Sequence, residues 1–82
     1  MNDLAARQKR ACEVTIDRMG RFLLGQVGAP PAMVLDRMMT FVAAQACAAD
    51  GSEVTAAAFR RFADQIDAGV FHSVTGEGQV RN

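Results

Sequence analysis

His72 and Ser73 stand side by side near the C-terminus, and with Cys12 and Cys47 they are the residues whose types could do covalent chemistry. A serine or cysteine nucleophile needs a base within hydrogen-bond reach, a third group that orients the base, and donors for the developing oxyanion. Nothing in the spacing brings an orienting carboxylate or a pocket to His72, and 82 residues leave little room for either. His72 lies just past the end of a helical segment, where a cation complements the C-terminal end of the helix dipole. No enzyme activity and no catalytic residue is expected. One histidine and two cysteines also fall short of the four Cys/His ligands of a structural zinc site, so no metal and no cofactor is expected.

Two further constellations fail on their own residues. Asp50-Gly51 between two helical segments matches the centre of the calcium loop of an EF-hand. The first, third and twelfth positions of that loop would be Ala46, Ala48 and Ala57, which offer no side-chain oxygen. The same turn, with Arg60 and Arg61 on the following helix, could be a helix-turn-helix reaching DNA. The arginines share their face with Asp64 and Asp67, which repel phosphate, and the preceding helix is too long and too apolar for a supporting helix. A DNA-associated regulator using Arg60 and Arg61 is the alternative reading. Nine basic residues against nine acidic ones argue against a polyanion, so nucleic acid is not an expected partner.

The elements that carry these residues are helical throughout. Asp3 to Val27 places Leu4, Ala11, Cys12, Ile16, Met19, Phe22 and Leu23 on one face and Arg7, Arg10, Glu13, Asp17 and Arg21 on the other. Asn2 is its candidate cap, and Asp3–Arg7 and Asp17–Arg21 are acid-first pairs four residues apart. Gly28-Ala29-Pro30-Pro31 is the strongest break: glycine suits a left-handed helix end, and proline opens the next helix without losing a bond. A second helix, about Pro31 to Ala49, has Asp36, Arg37, Thr40 and Gln45 as its polar residues. Gly51 ends that segment, with Ser52 or Thr55 as cap of a third helix running to about Ala68 with a Phe59, Phe62, Ala63, Ile66, Val70 stripe.

The expected fold is therefore all-α: a small three-helix up-down-up bundle over residues 1–74 with a flexible tail at 75–82, completed by oligomerisation. Two neighbours cover about half of a helix. The Val34, Leu35, Met38, Met39, Phe41, Val42 face then reads as core, and a smooth strip of Met33, Ala43, Ala44 and Cys47 is left as an interface. Both thiols are expected free. The longest charge-free stretch, Met38 to Ala49, is shorter than the roughly 18–20 residues a bilayer requires, so no membrane partner is expected. A targeting segment is not apparent, and the cytoplasm is the default location. What remains is a non-enzymatic protein-interaction module, an adaptor, assembly factor or chaperone-like protein, most simply a homodimer.

Overall fold

The computed structural model describes residues 3–78, and helices supply all of its regular structure. Helix α1 is Asp3–Phe22, α2 is Pro31–Asp50, α3 is Ser52–Asp67 and α4 is the single turn His72–Thr75. The all-α class follows from the residues themselves: long alanine, leucine, methionine and arginine runs, with glycine and proline confined mostly to the breaks. Residue 2, the expected cap of α1, lies outside the described residues, as do residues 79–82 of the tail.

The first helix continues past Phe22. It widens into a π-helical turn at Leu23–Val27, and Gly28 closes it at φ 74°. The N–H groups of Gly28 and Ala29 both return to the Leu23 carbonyl, the latter at 3.2 Å, so one oxygen satisfies two of the donors past the helix end. Pro30 then accepts from Met33 and Val34 at 3.0 and 3.1 Å, and Pro31 occupies the first helical position, where no N–H is needed.

Gly51 alone joins α2 to α3. Its N–H donates to the Cys47 carbonyl at 2.8 Å, and its own carbonyl accepts from Thr55 at 3.1 Å, so one residue stops a helix and starts another. Its φ of 89° is the left-handed region that glycine enters without strain. The cap is therefore Gly51 with no side-chain bond, in place of the expected Ser52 or Thr55. Beyond α3 the chain turns at Gly69, Phe71 meets Phe62 edge-on at a centroid distance of 6.0 Å, and Thr75 accepts from the Glu77 N–H at 3.1 Å.

The chain divides into two units, one ending at Phe41 and the other beginning at Val42. In the first, Val34 is the buried apolar side chain, 5% exposed, and Leu23, Ala29 and Met38 are half-buried around the Gly28–Pro31 turn. In the second, Thr55 is buried at 6%, with Ala43, Ala46, Cys47 and Ala57 half-buried on either side of Gly51. Burial thus gathers at the turns, where successive helices are forced together by short connections. Of the six residues expected to form core on α2, Val34 is buried and Met38 half-buried, while Leu35, Met39, Phe41 and Val42 are exposed.

Candidate interaction surface

Three helices present apolar stripes to solvent. On α1 the stripe comprises Leu4, Ile16, Met19 and Phe22, all exposed, and between its bulky ends lies a shallow apolar depression lined by Ala11, Cys12, Thr15 and Ile16. On α3 it comprises Phe59, Phe62 and Ile66. On α2 it is broader, with Met39 at 62% and Phe41 at 64% exposure. Isolated exposed hydrophobes are ordinary, but contiguous apolar faces along whole helices mark surfaces that bind something.

The polar residues of these helices are mutually satisfied where they meet. Arg37 donates through Nε and Nη2 to one carboxylate oxygen of Asp36, at 3.0 and 2.9 Å, and through Nη2 to the Thr40 hydroxyl at 3.2 Å. The Thr40 hydroxyl in turn donates to the Asp36 carbonyl at 2.8 Å. The charges of Asp36 and Arg37 therefore cancel on the surface of α2. By length and composition α2 is also long and apolar enough to cross a membrane, with Asp36 and Arg37 in its second turn. On the back of α1, Arg21 Nε donates to Asp17 at 2.8 Å. The hydrogen bond to that carboxylate, and then its charge, raise the Arg21 pKa above the usual guanidinium value.

The expected interface residues divide by environment. Met33 is 55% exposed and Ala44 is exposed, whereas Ala43 and Cys47 are half-buried beside the Gly51 turn. Both thiols are free. Arg60 and Arg61 are exposed on α3, and among the described residues neither forms an ion pair. The imidazole of His72 is held close to two glycines: a Cβ at Gly69 would lie 2.7 Å from its Nδ1, and one at Gly78 would lie 2.5 Å away. Both glycines have positive φ, at 100° and 78°, so the imidazole packs against backbone that only glycine leaves open. Among the described residues no three His, Cys, Asp or Glu side chains group as a metal site would require. Sequence reasoning placed Leu35, Met39, Phe41 and Val42 inside. No signal in the sequence marks them as exposed, because periodicity groups residues on a face without showing what covers it.

No protein-family model, curated protein or solved structure matches the chain. The apolar faces and their polar margins are accordingly the whole basis for a functional reading.

Proposed function

We propose that this chain is a non-enzymatic helical interaction module whose apolar helix faces are completed by association with protein, most simply with another copy of itself. One observation carries the reading: bulky apolar side chains on α1, α2 and α3 stand exposed, while Val34 is the buried apolar side chain among the described residues. Chains this short bury a smaller share of their surface than larger domains, and those without disulfide or metal commonly gain stability by oligomerising. Association would supply the shared core that an up-down-up arrangement of the three long helices needs. Met33, Ala43, Ala44 and Cys47 would line one side of α2 in that core, and Leu35, Met39 and Val42 the other. The self-paired Asp36–Arg37–Thr40 cluster supports this reading, because it enters an interface with its charges already compensated.

Sedimentation of the purified chain at micromolar concentration, combined with amide-exchange NMR, tests the proposal. The expected result is a particle of two or more chains with protected amides. A folded monomer with protected amides in α1–α3 would overturn it. Binding to duplex DNA that weakens steeply with salt would favour the Arg60–Arg61 reading instead, and partition into neutral phospholipid vesicles would favour a membrane role for α2.

A further inference from the structure

We infer that residues 69–78 form an autoinhibitory strap, in which Phe71 occupies the middle of the apolar stripe of α3 and competes there with a second copy. His72 latches the strap shut between Gly69 and Gly78. The inference rests on the self-association proposed above and adds to it a means of regulation.

The turn at the end of α3 sets the strap in place. The Gly69 N–H donates to the Ile66 carbonyl at 3.0 Å, and the Val70 N–H donates to the Gln65 carbonyl at 3.1 Å. These are the two bonds of a Schellman motif, which needs a left-handed residue just past the helix, and Gly69 supplies it at φ 100°. The chain reverses there and brings Phe71 onto Phe62, with ring planes at 76° in the edge-on geometry that aromatic pairs favour. Phe62 stands between Phe59 and Ile66 in the stripe, so Phe71 lies in the path of a helix laid along all three. Phe62 is still 52% exposed, so the cover is partial and a partner could displace it.

The rest of the strap closes on His72. The His72 N–H donates to the Gly69 carbonyl at 3.0 Å, and the Gly76 N–H donates to the His72 carbonyl at 2.8 Å. The Thr75 hydroxyl donates to Oε1 of Glu77 at 2.9 Å and accepts from the Glu77 N–H. These bonds lead the chain back so that Gly78 lies against the imidazole on which Gly69 already packs. An alanine at either glycine is opposed twice, by the positive φ and by the ring. Each of these bonds joins residues within 64–78, so the strap forms inside one copy. Such a cover weakens apparent affinity by the fraction of chains in which it is open.

Gly69→Ala and Gly78→Ala test the inference, because each unlatches the strap and leaves every apolar side chain in place. Two straps open per dimer, each giving up an aromatic pair, so the dissociation constant from sedimentation equilibrium should fall by about fivefold or more. Gly78 lies outside α3 and its cap, so Gly78→Ala decides if Gly69→Ala unfolds the helix end. A nuclear Overhauser contact between the Phe62 and Phe71 rings is expected in the dilute natural chain and should vanish on association. Its absence from the dilute chain, or its persistence in the associated form, overturns the inference. A dimer that is unchanged or weaker in Gly78→Ala also overturns it and leaves self-association standing. Folded monomers for the natural chain and both variants overturn this inference and the proposed function together.

Discussion

Thr55 is the residue whose surroundings and chemistry disagree most. Its side chain is buried beside the Gly51 turn, and among the described residues its hydroxyl oxygen has no hydrogen-bond partner. A buried hydroxyl without a partner forfeits its hydration and gains nothing in return. Thr55→Val keeps the branched shape, removes the orphaned oxygen, and is expected to raise unfolding free energy by about 1 kcal/mol. Chemical denaturation at fixed protomer concentration measures it; a loss of stability would mean that the hydroxyl is satisfied in solution. Several single residues behave as their types dictate. Gly28 and Gly51 take the left-handed conformations that a helix stop demands, and Asp17 reaches Arg21 four residues on. Thr55 escapes such reading because nothing in the periodicity of its own helix marks it as buried.

At the scale of the element, α2 carries the largest consequence. Leu35 and Ala44 lie on opposite sides of it by helical geometry, and both are exposed. Glutamate at either position costs little in a free chain, since exposed helix positions tolerate substitution within about 0.5 kcal/mol. In an associated form each introduces an unpaired charge beneath a partner. Leu35→Glu is expected to weaken self-association on the order of a hundredfold, about 2.7 kcal/mol, because it also removes a large apolar contact. Ala44→Glu should weaken it less. Sedimentation equilibrium of both variants decides, and an unchanged dimer for Leu35→Glu would remove the bulky face from the interface. Helix existence, the two main breaks and the free thiols were legible in the chain because they depend on local rules: proline at a helix start, glycine at its end, cysteines without partner spacing. The π-helical turn at Leu23–Val27 and the single turn His72–Thr75 were not, since one extra residue per turn or four residues of helix leave no periodic signature. Nor was the exposure of Leu35, Met39, Phe41 and Val42. Periodicity reports which residues share a face, and it is silent on what stands opposite that face.

For the whole molecule, the proposed self-association would make stability and association one quantity. Among the described residues each unit holds one buried side chain, Val34 in the first and Thr55 in the second. If the helices are stabilised by a second copy, unfolding releases two chains from one particle, and the equilibrium shifts with protein concentration. Each tenfold dilution then removes about 1.4 kcal/mol. For a cooperative unit of two such chains that lowers the midpoint by roughly 3–6 °C. Thermal unfolding followed by circular dichroism over a hundredfold concentration range should show this slope. Added salt should change it little, because apolar faces dominate the contact and the Asp17–Arg21 and Asp36–Arg37 pairs are exposed and already screened. A cooperative transition at the same midpoint at every concentration would mean that the isolated chain completes its own core. The exposed stripes of α1, α2 and α3 would then have to close on one another within a single copy, and Leu35 would not report a partner.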